Sequence, residues 1–593
     1  MKKNQIDGSR RKVLGALAAA PVAWLTGCGA GEESGERLES ESSALTGAEL
    51  QALCNAFYAM SNRIDIRISM NPASWDALRT AQPNGGICNW DFPPDQDRFA
   101  TFEADSVTVS GSAFSSSIPT IQRVGIQKKS FCGSFHTVTP CLKLDFGEFI
   151  GSNEALIESF LGTSHLLLNN CLQDPSFIRQ PLAYYLFKQA GLPYSRGNFA
   201  RVFVNNALIG VYLNLEPIRK RHIENNFGRS TGNLYEFELT DDFTSSRMAF
   251  IDVEKVHAFT NKVDLSKTAS ELAVLGLNGV NRNFDVNQFI KFHAMEFLLK
   301  HWDSYDGGVA GRGNNTYVYN DVLDPAAERR FKFIPWGTDA ILRPERKFGI
   351  EDPSRSSIVG GLVRGNATTA GQLRAQIATY ANTVFSRANL EGPIKQFIDQ
   401  MQSTLATLGA VPIDTGFPNV PANIAEVRQQ LGLVRSAAFV LAGISSPSYY
   451  LKDPNTGDCM RASATQHFPS NSTTDFEVVH RAPVPDANDR WTFDGASFTN
   501  EASQGHLRCS ASLSAAPGHL AVYTTPTPDT GDGRQTFRIY ADMPNSFCVS
   551  GTFKLRNDGT GQFLKFATDA PSGTGAQRVY QTSQADASNL VIY

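Results

Sequence analysis

Three polar side chains in the second half of the chain stand directly beside apolar segments. Asp303 follows a long apolar stripe, Asn315 begins a strand-like run, and Asp339 comes after the apolar segment 331–336. Carboxylate and amide oxygens are ligands that Mg²⁺ accepts, and a carboxylate can also take a proton from a hydroxyl group. The three are therefore a candidate site for a divalent cation, provided that the fold brings them together. The structural alternative for each acid is a helix cap or a turn.

The segments around these residues alternate between helical and strand-like patterns, which predicts an α+β fold for residues 46–447. Asp285 and Gln288 have the spacing of a capping box, and apolar residues then recur at helical spacing as far as Trp302. A chain that leaves a buried helix at this point would hold Asp303 rigidly beside a cleft.

Two shorter signals lie earlier in the same region. Asp174 and Pro175 predict the cap and first residue of a helix, because proline is tolerated at the first helical position. Asn205 and Asn206 separate two strand-like runs and predict a tight turn between them.

The composition excludes several classes of protein. The chain has 593 residues, of which 19% are charged, and a net charge of −4. So few charges argue against a coiled coil or wholesale disorder, and the near-neutral balance argues against a nucleic-acid binder. The ten histidines are scattered and the nine cysteines lack metal-ligand spacing, so no zinc site is predicted. Cys132 and Cys141 are close enough in sequence to join a hairpin by a disulfide.

The N-terminus has the features of an export signal. Arg10 and Arg11 precede a short apolar run that ends at Cys28 in the order Leu-Thr-Gly-Cys, which resembles a bacterial lipobox. Residues 1–28 are therefore predicted to be a twin-arginine lipoprotein signal peptide with Cys28 as the lipidated residue. The alternative is an uncleaved tether with an incidental cysteine. The acidic, Ser- and Gly-rich residues 29–45 predict a flexible linker, and outer-membrane or cell-surface placement is expected.

The last part of the chain, residues 448–593, repeats one pattern three times. In each unit an apolar residue is followed nine positions later by another, across a turn rich in Gly, Asn and Asp. The units begin at Leu451, Phe498 and Leu555. Such units cannot bury their apolar faces singly, so the pattern resembles a β-trefoil of the ricin or fascin type. Glycan binding and a purely structural role both remain open, since Gln-x-Trp repeats are absent.

Short blocks in the middle of the chain resemble, in order, those of the spore-coat protein H (CotH) kinase family. No single block is specific, but their order over roughly 380 residues is. The blocks are Val124 to Ile126, Lys143 to Phe146, Asn169 and Asn170 with Asp174 and Arg179, Val202 to Tyr212, Glu216, Gly232 to Tyr235, Trp302 to Tyr305, Asn314 to Tyr319, and Ile334 to Asp339.

The resemblance implies an atypical protein-kinase-like fold that transfers phosphate from ATP, with Mg²⁺ or Mn²⁺, to Ser or Thr hydroxyls of proteins. The residue types agree, because phosphoryl transfer asks a protein mainly for positioning and charge neutralisation. In this interpretation Asp303 is the catalytic acid/base or orients the hydroxyl group. Asn315 and Asp339 are the metal ligands.

The phosphate-binding cation is less well defined. Lys143, on a strand-like run, is the first candidate, with Lys128 and Lys129 behind it and Glu216 as the expected ion-pair partner. The alternative for each lysine is a solvated charge on a strand face. Arg179 has an architectural alternative, as a partner of a nearby acid.

The chain departs from the family pattern in two places. The family commonly has Pro-Trp-Asp-x-Asp, whereas this chain has Gly337 and retains only Asp339. Either Asp339 is the essential acid or the metal site is impaired. In addition, the glycine-rich segment 307–313 lengthens the loop after Asp303, either as a gate for substrate or as solvated slack.

Two function classes follow from these observations. The first is an exported lipoprotein kinase that phosphorylates envelope or surface proteins, and the second is an inactive kinase-like scaffold or adhesin assisted by the trefoil. A carbohydrate-processing enzyme is a weaker third, because no pair of carboxylates stands out for glycoside chemistry. Expected partners are a protein substrate, a glycan at the trefoil, and a membrane through the lipid anchor only.

Overall fold

The structure is a computed structural model that describes most of the chain from residue 45 onwards. It leaves aside residues 1–44, 90–91, 94–95, 115–117, 130–131, 239, 255–261, 308–312, 322–329, 345–355, 443–450, 453–458, 468–475, 482–489, 494–496, 501, 517–518, 527–534, 536, 542–552, 558–559, 561, 572–576, 583–590 and 593. The predicted signal peptide, Cys28 and nearly all of the predicted linker lie outside the described residues, as does most of the segment 307–313.

Twelve α-helices and eleven strands precede residue 450 within the described ranges. The helices are α1 Gly47–Phe57, α2 Pro72–Thr80, α3 Ser152–Leu161, α4 Arg179–Gln189, α5 Lys220–Phe227, α6 Val263–Leu275, α7 Leu277–Asn283, α8 Val286–Leu298, α9 Ile358–Gly365, α10 Ala367–Asn382, α11 Lys395–Leu408 and α12 Val420–Leu441. The strands are β1 Ile64–Ser69, β2 Thr101–Gly111, β3 Ile121–Lys128, β4 Leu142–Asp145, β5 His165–Asn169, β6 Gly197–Val204, β7 Ala207–Leu215, β8 Asn233–Phe237, β9 Asp252–Glu254, β10 Thr316–Asn320 and β11 Lys332–Pro335. Short helical turns cover Cys132–Ser134, Thr338–Ala340 and Arg387–Asn389, and a π-helical turn covers Leu390–Ile394.

A closed barrel in the order β1-β2-β3-β4-β5-β7-β6 forms the first part of the fold. β1 pairs with β6 in parallel, and the other neighbouring strands are antiparallel. Asn205 and Asn206 have φ values of 48° and 67° and form the predicted turn between β6 and β7. This conformation suits a two-residue hairpin, because its twist matches that of the flanking strands.

A second sheet, in the order β11-β10-β8-β9, packs with the later helices around an aromatic core. Asp285 caps α8 as predicted, by accepting a hydrogen bond from Gln288 N at 3.0 Å. The side chain of Gln288 bonds instead to the backbone of Phe333 on β11, which ties the start of α8 to the sheet. The mixed architecture confirms the α+β prediction.

The predicted start of α4 is wrong by four residues. Asp174 accepts hydrogen bonds from the backbone of Ser176 and of Arg179, so it closes a turn before the helix begins. Phe177 has a φ of 64°, a left-handed conformation that an α-helix cannot contain. The helix therefore begins at Arg179.

The strands after residue 450 repeat one unit three times. They are β12 Leu451–Lys452, β13 Cys459–His467, β14 Phe476–Arg481, β15 Trp491–Phe493, β16 Phe498–Asn500, β17 His506–Ala516, β18 His519–Thr525, β19 Phe537–Ala541, β20 Phe553–Asn557, β21 Phe563–Pro571, β22 Gln577–Thr582 and β23 Val591–Ile592. The hairpins β13–β14, β17–β18 and β21–β22 join one another through pairs among β14, β18 and β22. The pairs β12–β23, β15–β16 and β19–β20 close the ring. This is the pairing of a β-trefoil, and Met460, Leu507 and Leu564 fill its core at equivalent positions.

No helix among the described residues combines the length and the hydropathy that a bilayer span requires.

Candidate functional site

A cavity of about 350 Å³ lies between the barrel and the second sheet, and the three predicted polar residues all line it. Asp303 comes from the loop after α8, Asn315 directly precedes β10, and Asp339 lies in the turn after β11. β10 and β11 are antiparallel neighbours, so the start of one strand and the end of the other lie at the same edge. Trp336 N donates to Asn315 O at 3.0 Å, which holds the two segments together at that edge.

The Asp303 carboxylate is held by two neighbouring amides. Asn314 Nδ2 donates to Oδ1 at 2.6 Å, and Asn315 Nδ2 donates to Oδ2 at 2.9 Å and to the Asp303 carbonyl at 3.1 Å. Both oxygens of Asp303 are thereby fixed in direction. The role of Asn314 was not predicted, although the adjacent pair of asparagines was a usable signal.

Asp339 is the acid whose charge is most strongly disfavoured in this cavity. Burial above all, together with the charges of Asp303 and Asp174, raises its pKa to about 7, although Arg343 and His301 oppose the change. Like-charge crowding of this kind is relieved when a cation binds between the carboxylates.

The donor set fits a magnesium-like ion rather than a transition metal. Two carboxylates and five amide side chains line the cavity, and within the described part of the chain no three His, Cys, Asp or Glu side chains cluster as metal ligands. Mg²⁺ is commonly bound through one or two carboxylates and keeps its remaining positions for water and substrate phosphates. Asp339 and Asn315 would hold such an ion, with Asp303 beside them in the same cavity.

Lys129, directly after β3, is the one cation among the described residues that line the cavity. Its Nζ lies 5.8 Å from the ring centroid of Trp336, which follows β11, so its charge is close to the segment that carries Asp339. Lys128, its neighbour, is buried and donates to the carbonyls of Arg79 and Ala81 at 2.9 and 3.1 Å. Strand alternation therefore selects Lys129 from this pair.

Lys143, the first candidate for the phosphate cation, lines two neighbouring cavities, one of about 50 Å³ with Arg219 and Glu254 and one of about 310 Å³, and Lys129 lines both of them too. Burial lowers the pKa of Lys143, and the nearby cations Arg219 and Lys129 lower it further. Lys143 is absent from the lining of the main cavity, so its assignment to that cavity is not supported.

The predicted ion pair between Lys143 and Glu216 is wrong. Lys143 lies opposite Leu167, and Leu167 lies opposite Leu215, so these three share one face of the barrel. Glu216 comes one residue later and therefore points to the other face. There it is buried, forms an ion pair with Arg196, and lies 3.7 Å from His222 Nδ1.

Arg179 has the architectural role that was left open. It is buried and bridges Asp174 at 2.9 Å and Glu426 at 2.8 Å. It therefore holds Asp174, one of the charges that affect Asp339, without lining the cavity itself.

A disulfide closes one wall of the cavity, but with a different partner from the one expected. Cys132 bonds to Cys88, 44 residues earlier, and Cys141 is a buried thiol that takes no part in this disulfide. Cys141 Sγ accepts a hydrogen bond from Asn170 N at 3.3 Å. The Cys132–Cys141 hairpin staple is thus wrong.

A comparison with known protein families finds a match to the part of the chain that carries these polar residues. The family described as CotH kinase protein matches residues 134–408, which include Asp303, Asn315 and Asp339. Residues 134–408 are thus similar to the CotH kinase family, and the unit before residue 450 that contains them is called the CotH domain below. Lys129 lies just before the matched range of the CotH domain, directly after the strand that leads into it.

Two curated relatives match part of the chain. Invasin CotH7 of Rhizopus delemar is 22% identical over 236 residues, covering 37% of this chain and 39% of its own. Inner spore coat protein H of Bacillus subtilis is 25% identical over 198 residues, covering 31% of this chain and 51% of its own. The chain thus spans about two fifths to one half of the length of these relatives.

Solved structures also match about a quarter of the chain. The designed threefold symmetric protein ThreeFoil is 18% identical, with a TM-score of 0.19, and covers 24% of this chain and 96% of its own. The Rhizoctonia solani agglutinin is 13% identical, with a TM-score of 0.18, and the match covers 25% of this chain and 96% of the agglutinin.

Proposed function

We propose that the CotH domain is a protein kinase that transfers the γ-phosphoryl group of ATP to Ser or Thr hydroxyls of envelope or surface proteins. The observation that carries the proposal is the convergence of Asp303, Asn315, Asp339 and Lys129 on one cavity of about 350 Å³. These are the residue types that phosphoryl transfer needs, namely carboxylates, an amide and a cation around the phosphates.

Each residue has a stated task in this proposal. Asp303, fixed by two amides, orients the acceptor hydroxyl and takes its proton as the new P–O bond forms. Lys129, which lines the same cavity, neutralises phosphate charge. Asn315 and Asp339 hold a divalent cation, Mg²⁺ or Mn²⁺, which when bound neutralises charge on the phosphate oxygens.

The direct test is incorporation of labelled phosphate by the full chain with Mg²⁺ or Mn²⁺ and a mixture of envelope proteins. The wild type should label protein, and Asp303→Asn should lose the labelling by at least about a hundredfold. Asp76→Asn is the matched control, because the Asp76 side chain is exposed at the surface and pairs only with Arg79 in the same helix.

The alternative is a kinase-like scaffold or adhesin without turnover. The observation in its favour is Gly337, which removes one of the two acids that are common in the family. If the wild type labels nothing above Asp303→Asn and no nucleotide raises its unfolding temperature, the scaffold is the better description.

The cellular setting and the role of the trefoil complete the proposal. The chain is proposed to be an exported lipoprotein anchored through Cys28, and labelled palmitate should enter the wild type but not Cys28→Ser. Glycan binding is proposed for the trefoil, with a purely structural role as the alternative. A glycan array probed with the full mature chain tests this, and absence of any binding would leave the structural role.

A further inference from the structure

Gly337, the residue that interrupts the family pattern, packs directly against Asn315. An ideal Cβ at position 337 would lie 2.7 Å from Asn315 Nδ2 and closer still to Oδ1 and Cγ. Real Cβ atoms do not approach other atoms so closely, so the Asn315 amide occupies the space that any side chain at 337 would need. The two residues also adopt left-handed backbone conformations, with φ values of 52° and 42°.

The Asn315 amide that fills this space is the same one that holds Asp303. Its Nδ2 donates to Asp303 Oδ2 at 2.9 Å and to the Asp303 carbonyl at 3.1 Å. The Asn315 backbone is held in turn by the hydrogen bond from Trp336 N, next to Gly337. Displacing the amide by even one ångström would break the hydrogen bond to the carboxylate.

We propose that Gly337 and Asn315 form a steric pair that sets the position of the Asp303 carboxylate, so that Gly337 is a positioning residue and not a lost metal ligand. A carboxylate at position 337 would push the Asn315 amide away from Asp303. The proposal rests on the proposed function for its catalytic consequence, and on packing alone for the pair itself.

A double-mutant cycle in the full chain separates the pair from its consequence. Gly337→Ala and Asn315→Gly are made singly and together, and unfolding temperatures are measured without nucleotide or metal. The backbone strain of alanine at φ 52° is the same in both backgrounds and cancels in the cycle. We expect Gly337→Ala to lower the unfolding temperature by several degrees in the wild type and by clearly less in Asn315→Gly. If the two substitutions lower the unfolding temperature additively, the steric pair is contradicted. It is also contradicted if Gly337→Ala fails to fold both in the wild type and in Asn315→Gly.

The catalytic consequence is measured by phosphate transfer as a function of Mg²⁺ concentration. Gly337→Ala should lower the rate at saturating Mg²⁺ at least tenfold and also raise the Mg²⁺ concentration for half-maximal rate, whereas partial unfolding would lower only the rate. The double variant should lose no more than Asn315→Gly alone. Gly337→Asp should also lower the rate, and a faster Gly337→Asp enzyme would overturn the proposal. If the losses of unfolding temperature are non-additive but the wild type transfers no phosphate, the proposed kinase function is contradicted. The steric pair of Gly337 and Asn315 is then still supported.

Discussion

Asp339 combines a proposed binding role with a cost to the fold. Burial and the charges of Asp303 and Asp174 raise its pKa to about 7, so ionising it in the absence of a cation is unfavourable. A residue placed against the preference of the folded chain is typical of a functional site.

We expect Asp339→Asn to stabilise the cation-free protein at pH 8 by about 1–2 kcal/mol, because the substitution removes a crowded charge. The same variant should lose the rise in unfolding temperature that Mg²⁺ and nucleotide give the wild type. Thermal unfolding with and without ligand checks both parts. A variant that is less stable without the cation would contradict the crowding of charges.

The choice between the two lysines gives a second test at the residue scale. Lys129→Met should raise the KM for ATP by roughly tenfold or more, which corresponds to about 1.4 kcal/mol of lost interaction with phosphate. Lys143→Met, the matched control on the neighbouring strand, should change that KM by less than about threefold, because Lys143 faces Arg219 and Glu254. If Lys143→Met raises the KM for ATP more than Lys129→Met does, Lys143 is the lysine that binds phosphate.

The site residues show which part of a site a sequence can reveal. Asp303, Asn315 and Asp339 were identifiable because each stands where an apolar element begins or ends. Lys143 and Glu216 were misplaced because alternation along a strand separates two faces but does not say which face meets the cavity. That choice depends on where the second sheet packs, which no local pattern contains.

Among the elements, β7 ends in a buried ion pair that has no part in the proposed chemistry. Burial alone would raise the pKa of Glu216, but Arg196 and His222 lower it to about 2. Because the folded pKa lies below the unfolded value, the stability from this group is present above pH 4.5 or so and is lost as the pH falls towards 2.

We expect Glu216→Gln to destabilise the protein by about 3–5 kcal/mol at pH 7, since it leaves the buried Arg196 without its ionised partner. The difference from the wild type should shrink as the pH is lowered from about 4.5 towards 2. Denaturant unfolding across this range is the measurement. A large change in ATP affinity at unchanged stability would point back to a phosphate-site role for Glu216.

The disulfide between Cys88 and Cys132 is a second device at the scale of elements. It closes a loop of 44 residues and fixes the turn Cys132–Ser134, which lines the main cavity. Replacing both cysteines by serine should lower the free energy of unfolding by about 3–4 kcal/mol, and should raise the KM for ATP by loosening this wall. Denaturant unfolding and steady-state kinetics check the two effects, with Cys141→Ser as the control that leaves the disulfide intact.

Elements defined by local patterns were predictable, and those defined by distant partners were not. The turn at Asn205 and Asn206 and the cap at Asp285 follow from nearby residues alone. The start of α4 was missed because the Asp174 carboxylate accepts a hydrogen bond within a turn, and Phe177 then adopts a left-handed conformation that is not helical. The disulfide was missed because its partner lies in a loop far from the expected hairpin.

At the scale of the whole molecule, α12 takes part in two packing clusters. Val434 belongs to the core of the CotH domain, whereas Leu433, the preceding residue, packs with the core of the trefoil. The threefold repeat was readable from the sequence, but this shared helix was not, because α12 shows only an ordinary apolar pattern.

The adjacent pair provides a matched test. Leu433→Ala should cost about 2–4 kcal/mol and uncouple the two units, so that unfolding becomes two separate transitions. Val434→Ala should destabilise the CotH domain, but the CotH domain and the trefoil should still unfold together in one transition. Calorimetry of the two variants distinguishes them. If both variants unfold in the same single transition, the assignment of Leu433 to the trefoil core and of Val434 to the CotH core is contradicted.

The same helix also reaches the supports of the carboxylates. Glu426 bonds to Arg179, which holds Asp174, and Gln430 accepts a hydrogen bond from Lys300, three residues before Asp303. A displacement of α12 by the trefoil would therefore reach the supports of Asp174 and Asp303 through these two side chains. The helix that carries the trefoil thus also braces these two acids.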